Sequence, residues 1–519
     1  MRRPAGASNS FLILCSTLLF CQTVCAAGDD DSTNKTGRDS SEAASVSALT
    51  EFEDAVQEVF ANHKSAVVAV VVQSGSSQKQ QEGEENDPSG TQPRFQPIPA
   101  RMGIGVVLSV DGQQLSVLTN AHLLEPIIER RHPSTKLSLL SSEGEISDVS
   151  VVASDPRSDL AIVTGTIEGA LPERVRLASG KSLKVGSVCV AIGDPLRIRD
   201  GESPKLSLTV CQSLGGRLSP VVLTDISERS IHDLGTLADV DLGKSFQWSG
   251  TPLFTLDGEL AGLMTAQSLP QQRDSRSAMA IPIGEFRGVI ESLLNGYEVD
   301  YGFLGIHPGD ATESLMRELG PTIPNQTAAI INRVSPESPA ERGGLQVQDV
   351  VLQVNGQPVT SGDDLVRLIG LVGAGNQADL IVYRPNGIGI LTLSMILGKW
   401  PALNNLPIVA TQDRVPVWRG IRIDYPTARR SFLPDRFLSQ FPRGVVITSI
   451  EDGSPAAEAG LQVGQFVVKL GGQQVETPED FEKFIRDARG ETRLELSDGQ
   501  EFVLGESVSP PKPLDGNER

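Results

Sequence analysis

The stretch VLTNAHL, residues 117–123, decides how this chain folds: it is a strand-like apolar run that ends on a histidine. A side chain that stands where a buried strand ends is held rigidly and can project over a cleft. The chain contains only five histidines. His122 is therefore the first candidate for a catalytic group.

Similar short apolar runs, rich in β-branched residues, lie on both sides of this stretch. They fall at 66–72, 103–109, 149–153, 160–164, 187–192, 206–210, 252–255 and 260–265. Many short strands at close spacing predict a β-barrel or a sandwich. Apolar residues at helical spacing predict a short amphipathic helix over 50–62. Residues 73–98 lack periodicity and are predicted to form a long exposed loop.

Length and composition limit the classes of protein to which the chain can belong. With 519 residues, we expect three or four domains at about 100–200 residues each. The formal net charge is −20, and no cluster of Lys and Arg stands out. A nucleic-acid partner is therefore not expected, because such proteins need a basic surface.

The N-terminus is typical of a secretory signal. Arg2 and Arg3 precede the apolar run FLILCSTLLFC at 11–21, which is short for a membrane span. We predict a signal peptide over 1–26, export to the periplasm or the extracellular space, and no stable membrane span after cleavage. A retained anchor and a lipoprotein modified on Cys25 are the alternatives. A disordered acidic leader is predicted over 27–48.

Two cysteines, Cys189 and Cys211, lie beyond the predicted signal peptide. In an oxidising compartment they could form one disulfide. Two buried thiols fit the sequence equally well, so both possibilities stay open.

The C-terminal part of the chain repeats itself at an offset of 116 residues. Ser-Pro-Ala at 338–340 recurs at 454–456, and Gly-Leu-Gln-Val at 344–347 recurs at 460–463. In each copy a helix follows, with Ser361 or Thr477 as a good N-cap and acidic residues in its first turn. We predict two small α/β domains at 298–398 and 415–505. A linker at 399–414 joins them, and a disordered tail follows at 506–519.

Three residues in the first half could together perform acyl transfer. A serine nucleophile needs a base to take its proton and a carboxylate to orient that base. His122, Asp159 and Ser249 supply these groups in the order His, Asp, Ser. A metalloenzyme is poorly supported because the histidines are scattered and no His-Glu-x-x-His motif occurs. No metal and no cofactor are expected.

The segments around these residues resemble those of the HtrA/Deg serine proteases over about 50–505. GIGVVLS (103–109) and LTNAH (118–122) are similar to the strands before that family's catalytic histidine. SDLAI (158–162) is similar to its aspartate segment, and SGTPL (249–253) to its nucleophile segment. The resemblance implies a mainly β fold: a chymotrypsin-like double β-barrel over 49–296, followed by two α/β PDZ domains. It also implies that His122, Asp159 and Ser249 are catalytic, with the N–H groups of Gln247 and Ser249 as the oxyanion hole.

The two repeated domains resemble PDZ domains, whose carboxylate-binding loops hold the C-terminus of a peptide. YGFLGI (301–306) is similar to such a loop in the first copy, and WRGIRI (418–423) in the second. A bound peptide then adds to the domain as an extra strand. The implied peptide-binding residues are Tyr301, Gly302, Phe303, Leu304, Gly305, Ile306, Arg419, Gly420 and Ile421.

The sequence departs from the family pattern Gly-Asn-Ser-Gly-Gly-Pro, because Gln247 and Trp248 precede Ser249. Glycine two residues before the serine allows backbone conformations that a Cβ disfavours. Two hypotheses follow: an exported endopeptidase that degrades misfolded proteins, and a catalytically impaired PDZ scaffold or chaperone. For the endopeptidase, the resemblance implies unfolded protein and peptide partners, cleavage after small apolar residues, and a homo-oligomer of three or more chains.

Overall fold

The computed structural model describes residues 35–73, 99–129, 135–142, 144–180, 183–217, 229–265, 277–319, 327–385, 388–433 and 443–506. Among the described residues two compact units are distinguished, one that ends at Ala55 and one that begins at Val56. The predicted signal peptide, the first eight residues of the leader, and nearly all of the 73–98 loop and the tail lie outside the described residues, so the predictions for those parts stay as they are.

The first helix, α1, runs over Lys35–His63. It begins well before the predicted start near residue 50, so a helix occupies part of the leader that we predicted to be disordered. Residues 35–63 contain no proline, and Glu42, Ala43 and Ala44 favour helix. Local propensity therefore extends a helix whose amphipathic pattern begins only at Phe52.

The first β-barrel is closed by six antiparallel strands, with β5 bonded to both β4 and β6. The strands are β1 (Val67–Gln73), β2 (Pro99–Asp111), β3 (Gln114–Thr119), β4 (Lys136–Ser141), β5 (Gly144–Asp155) and β6 (Leu160–Thr166). Their inward β-branched side chains form its core, and β1 is buried along all but its last residue. The helix α2 (Ala121–Ile128) follows β3, which places His122 at the end of that strand.

The second barrel repeats this architecture and carries the nucleophile segment. Strands β8 to β13 close it through the β11–β12 pair, and β7 adds to β12 in parallel. The strands are β7 (Arg176–Leu177), β8 (Val188–Gly193), β9 (Lys205–Gly216), β10 (Leu237–Asp241), β11 (Pro252–Phe254), β12 (Glu259–Thr265) and β13 (Ser277–Pro282). The helix α3 (Pro195–Arg199) follows β8, and α4 (Arg287–Leu294) follows β13. Ser249 thus lies in the connection between β10 and β11.

The two cysteines of the second barrel are both free and buried. Burial, with the neighbouring Cys211 as a further cause, raises the pKa of Cys189 to about 12. Of the two possibilities left open by the sequence, the structure has the pair of buried thiols.

Each repeated C-terminal module is a five-stranded antiparallel sheet with a short sixth strand and a long helix beside it. The first module contains β15 (Ile306–Asp310), β16 (Ala329–Val334), β17 (Val350–Val354), β18 (Gln357–Pro358), β19 (Gln377–Arg384), β20 (Gly389–Ile396), α5 (Glu313–Leu319), α6 (Pro339–Arg342) and α7 (Gly362–Val372). A two-stranded pair of β14 (Gly302–Phe303) and β21 (Gly398–Lys399) closes its base. Ser361 caps α7 as predicted, accepting from the Asp364 N–H.

The second module repeats the same order. It contains β23 (Ile421–Asp424), β24 (Val445–Ile450), β25 (Phe466–Leu470), β26 (Gln473–Gln474), β27 (Thr492–Leu496), β28 (Glu501–Leu504), α8 (Pro455–Glu458) and α9 (Pro478–Asp487). Between the modules, β22 (Val409–Ala410) adds to β5 at Ser154 and Ala153. The segment predicted as a linker therefore contributes a strand to the first barrel.

Candidate active site

His122, Asp159 and Ser249 come together between the two barrels. The His122 ring places Nε2 2.8 Å from Ser249 Oγ. Its Nδ1 lies 2.8 Å and 2.9 Å from the two carboxylate oxygens of Asp159. Because a carboxylate only accepts, Nδ1–H donates to Asp159 and leaves Nε2 to accept the serine proton. This is the geometry that a base-activated serine nucleophile requires.

Two further side chains orient the carboxylate of Asp159, which is 1 % exposed. The Thr265 hydroxyl, at the end of β12, donates to Oδ2 at 2.7 Å. Asn120 Nδ2 donates to the same oxygen at 3.2 Å and to the Asp159 carbonyl at 3.1 Å. The His122 N–H donates to Oδ1 at 3.0 Å. Asp159 is therefore fixed from both barrels.

Sequence reasoning did not identify Asn120 or Thr265 as site residues. Asn120 stands two positions before His122, so its proximity to the site could have been inferred from the strand end. Thr265 lies 106 positions from Asp159, and only the closure of the second barrel brings it there. Its signal in the sequence is a polar residue at the end of an apolar strand.

The backbone around Ser249 can take its path only because of a glycine. Gly250 has φ +84°, and a Cβ there would lie 1.7 Å from the Ile104 carbonyl oxygen. The Ile104 N–H in turn donates to the Ser249 carbonyl at 2.8 Å. These contacts join Ser249 to β2, so the Gly-rich segment at 103–105 supports the loop that carries Ser249.

The segment just before Ser249 forms a turn on its own. Residues Lys244–Phe246 make a 3₁₀ turn. The Gln247 N–H donates to the Lys244 carbonyl at 3.2 Å, and Gln247 Nε2 donates to the Leu242 carbonyl at 2.8 Å. In this structure the Gln247 N–H is thus bonded within its own loop. Trp248 is half-buried and packs against the main hydrophobic core.

The structure also describes three other histidines, and each of them has a lowered pKa. Burial lowers the pKa of His63, whose ring stacks on Phe254 at 4.7 Å. Burial likewise lowers the pKa of His232, and burial with Arg333 lowers that of His307. His132 lies outside the described residues. Among the residues that the structure describes, no group of three or more His, Cys, Asp or Glu could hold a metal ion.

The predicted peptide loop of the first module, 301–306, precedes the edge strand β15. Gly305 has φ +79°, and its carbonyl accepts from the Ser335 N–H. Gly302 and Phe303 form β14, and Leu304 is buried in the module core. The Tyr301 side chain is buried and directed towards the first barrel, where its hydroxyl donates to Asp155. Tyr301 therefore belongs to the loop by its backbone, while its side chain contacts the peptidase barrel.

The matching loop of the second module is closed on itself. The Ile421 N–H donates to the Trp418 carbonyl, and the Trp418 N–H donates back to the Ile421 carbonyl. Between them, Arg419 and Gly420 both have positive φ, +52° and +86°, as in a tight hairpin turn. The Arg419 guanidinium is also buried and donates to the Leu504 and Gly490 carbonyls. The N–H of Ile421 is thus bonded within its own loop.

Comparisons with known proteins agree with this geometry. Residues 103–263 match the family Trypsin-like peptidase domain, and residues 330–384 and 446–497 match the family PDZ domain. "Probable periplasmic serine endoprotease DegP-like" of Rhizobium meliloti (strain 1021) is 26 % identical over 419 residues, which cover 78 % of this chain and 75 % of that protein. The Halomonas elongata protein of the same name is 28 % identical, covering 74 % and 73 %.

A solved structure of the HtrA-type protease AlgW with decapeptide is 21 % identical, with a TM-score of 0.43, and covers 67 % of this chain and 99 % of that one. Fold, barrel strands and family matches define the class first: the chain is a trypsin-like serine endopeptidase with two PDZ domains. The relatives named DegP-like agree with the resemblance to HtrA/Deg proteases that its motifs indicate. Its relatives carry periplasmic names, in agreement with the export predicted from its N-terminus. None of the described helices is long and apolar enough to cross a membrane.

Proposed function

We propose that Ser249 is the nucleophile of this endopeptidase, that His122 is its general base and acid, and that Asp159 orients His122. The 2.8 Å contact between His122 Nε2 and Ser249 Oγ carries this proposal. Ser249 Oγ attacks the scissile carbonyl carbon while its proton passes to His122. The C–N bond then breaks as His122 returns that proton to the leaving amine. Water, deprotonated by His122, attacks the acyl-enzyme and releases the new carboxylate.

The N–H groups of Gln247 and Ser249 are the proposed donors to the oxyanion that forms in the first step. The Gln247 N–H is bonded to Lys244, so the 244–247 turn must open before this donor reaches a substrate. One lost oxyanion donor costs on the order of 10²–10³ in rate. We therefore infer that the described state is a resting one, whose oxyanion hole forms on substrate or peptide binding.

The substrates that we propose are unfolded or misfolded proteins, cleaved after small apolar residues, in an exported homo-oligomer of three or more chains. Peptide and protein substrates follow from the endopeptidase class, and the finer choices rest on the resemblance to HtrA/Deg proteases. Sedimentation of the mature chain tests the assembly. Substrate sequencing after digestion of denatured casein tests the cleavage preference.

The first PDZ domain is the better candidate for binding a peptide C-terminus. Its strand β15 lies at the edge of its sheet, where a peptide strand can add. The second domain has its Ile421 N–H engaged by Trp418. Full-length Ser249→Ala protein should bind a fluorescent peptide with a free carboxylate, and amidation should remove binding. Gly305→Ala should weaken it because of the positive φ, while Gly420→Ala, the matched change in the second domain, should not.

The second candidate function is a protease-like scaffold that binds peptides without cleaving them. The bonded Gln247 N–H favours it, since a loop that never opens would leave the triad without an oxyanion hole. Labelling of the mature protein with a fluorophosphonate, alongside casein cleavage, separates the two functions. Labelling and cleavage that disappear in Ser249→Ala support the endopeptidase. Folded wild type that neither labels nor cuts, even with PDZ-binding peptides present, supports the scaffold.

A further inference from the structure

A buried contact joins the first PDZ domain to the segment that carries Asp159. Tyr301 stands at the start of the 301–306 loop of the first PDZ domain, which we call PDZ1, and is 1 % exposed. Asp155, the last residue of β5, is 3 % exposed. The Tyr301 hydroxyl donates to Asp155 Oδ2 at 2.6 Å. Burial, with Asp155 as the next cause, raises the pKa of Tyr301 well above its usual value, so the hydroxyl stays a neutral donor.

The Asp155 carboxylate in turn builds the turn that leads to Asp159. It accepts from the Ser158 hydroxyl at 2.6 Å, from the Ser158 N–H at 3.0 Å and from the Arg157 N–H at 3.4 Å. Asp159, the next residue, has φ +54°. A non-glycine residue keeps this left-handed conformation only where its surroundings impose it. The Asp155 carboxylate is thus part of what imposes it.

Arg157 makes a second buried contact, which joins the same turn to Tyr301 of the first PDZ domain and to Trp400 just after that domain. Its guanidinium donates to the Trp400 carbonyl at 3.3 Å and lies over the Tyr301 ring at 5.5 Å and the Trp400 ring at 5.9 Å. The side chain is 4 % exposed, and desolvation lowers its pKa while Asp155 opposes that shift. A buried cation needs such partners, and two of them, Tyr301 and Trp400, come from the chain beyond the second barrel.

A second segment of the chain, residues 230–234, connects the 155–159 turn to PDZ1. The Ser230 hydroxyl donates to the Arg157 carbonyl at 2.6 Å, and His232 Nε2–H donates to the Ser158 carbonyl at 2.8 Å. Ser230 caps the 3₁₀ turn Ile231–Leu234. That turn packs on α7, where a Cβ added at Gly370 would lie 3.3 Å from Ile231 Cδ1. The 155–159 turn therefore has PDZ1 behind it on both sides.

We propose that PDZ1 completes the active site of this chain, with Tyr301 as a positioning residue that acts through Asp155 and Ser158 on Asp159. The proposal rests on the serine-endopeptidase function proposed above. In this arrangement the barrels without PDZ1 would leave Asp155 without one of its donors and Arg157 without Tyr301 as an aromatic partner. The orientation of His122 by Asp159 would then be looser.

The test compares Tyr301→Phe with Tyr425→Phe in the mature full-length chain. Tyr425, in the second PDZ domain, is a matched control because its hydroxyl is also buried and donates to a carboxylate, that of Glu479. Each preparation is titrated with a fluorophosphonate, so that rates are expressed per reactive serine. For Tyr301→Phe we expect kcat on a short peptide to fall about tenfold with KM unchanged. We expect no such change for Tyr425→Phe.

The rate per titrated serine distinguishes positioning from a loss of folded protein. A misoriented Asp159 carboxylate should lower kcat at every reactive serine in Tyr301→Phe. A purely structural defect would lower the number of titratable sites and leave the rate per site unchanged. The double variant Tyr301→Phe/Asp155→Asn should be no worse than Asp155→Asn alone, since both changes break one chain of contacts.

Amide hydrogen exchange of the Ser249→Ala background tests the same coupling without activity. Tyr301→Phe should speed exchange in 155–163 and 229–235, and Tyr425→Phe should do so only in the second PDZ domain. A rate per titrated serine within twofold of wild type, with unchanged exchange in 155–163, would overturn the proposal. Failure of the wild type to label at all would overturn the proposed function instead, while the exchange result would still decide the coupling.

Discussion

The two halves of the active site are built in opposite ways. On the aspartate side, the carboxylate of Asp159 receives hydrogen bonds from His122, Asn120 and Thr265. On the nucleophile side, the Gln247 N–H is bonded to Lys244 in its own turn. With the roles proposed above, the proton-transfer geometry is in place before substrate arrives, and the oxyanion geometry is not. We infer from this difference that the 244–249 loop controls the activity of this chain.

The largest effect on activity is expected from a substitution on the aspartate side, the fixed half of the site. Asp159→Asn keeps the shape of the side chain but favours the wrong His122 tautomer, so kcat should fall on the order of 10⁴-fold. Hydrolysis of a short peptide per titrated serine measures it. The matched variant Asp241→Asn, on the strand before the nucleophile loop, should stay within a few-fold of wild type. Equal losses in both variants would show that Asp159 has no special role.

A gain in reactivity is expected from a substitution on the nucleophile side of the site. Gln247→Gly removes the Cβ and the side-chain bond to Leu242, so the turn should open more easily. We predict that the fluorophosphonate labelling rate rises about tenfold. Lys244→Ala serves as a control, because it changes a side chain of the same turn without adding glycine freedom to its backbone, and its rate should stay near that of wild type. A rate that falls in Gln247→Gly would mean that the glutamine supports the reactive loop.

A smaller loss of activity is expected when one of the three residues that donate to the Asp159 carboxylate loses its hydrogen bond. Thr265→Val is nearly isosteric and removes the 2.7 Å hydrogen bond to Oδ2. Because Asn120 and His122 still donate to Asp159, kcat should fall only about fivefold, or about 1 kcal/mol, which is the net contribution of one typical hydrogen bond. Thr251→Val, at a buried threonine beside the nucleophile, is the control. A loss as large as that of Asp159→Asn would show that the aspartate side is less redundant than its contacts indicate.

The smallest effect concerns pH and the stability of the fixed half. Burial lowers the pKa of His232, which Thr236 and the Ser158 carbonyl hold neutral. The unfolded chain binds a proton there below about pH 6.5, and the folded chain binds one only at a lower pH. The unfolded state therefore binds more protons, and stability should fall as pH drops below that value. Between pH 7.5 and 5.5 the melting temperature of the peptidase domain should decline less steeply in His232→Gln than in wild type. An equal decline in both would show that His232 is not a source of the pH dependence.

Local patterns in the sequence allowed a β-barrel or sandwich, the three candidate residues His122, Asp159 and Ser249, and the repeated domains to be predicted, and the family resemblance implied the double barrel. Strand runs, the residue types around His122 and Ser249, and the 116-residue offset are all visible within short windows. The donors that fix the site are not. Tyr301 and Asp155 are 146 positions apart, and β22 joins β5 from beyond the first PDZ domain. Such contacts depend on how domains pack, which no local pattern encodes.

The Gln247 turn marks a different limit of sequence reasoning. The departure from glycine was visible and raised the question of a missing donor. Whether the N–H points into the loop or towards substrate depends on a balance between one weak 3.2 Å bond and the backbone preferences of Gln247. A balance between two close backbone states cannot be judged from residue types alone.

The most direct test of the account is a crystal structure of the mature protein after reaction with a fluorophosphonate. We predict that the phosphoryl oxygen on Ser249 accepts from the N–H groups of Gln247 and Ser249, that the Gln247–Lys244 bond is broken, and that Asp159 keeps its contacts with Thr265 and Asn120. An adduct with the 244–247 turn still closed, or with the 155–159 turn rearranged, would contradict the division of the site into a fixed half and a movable one.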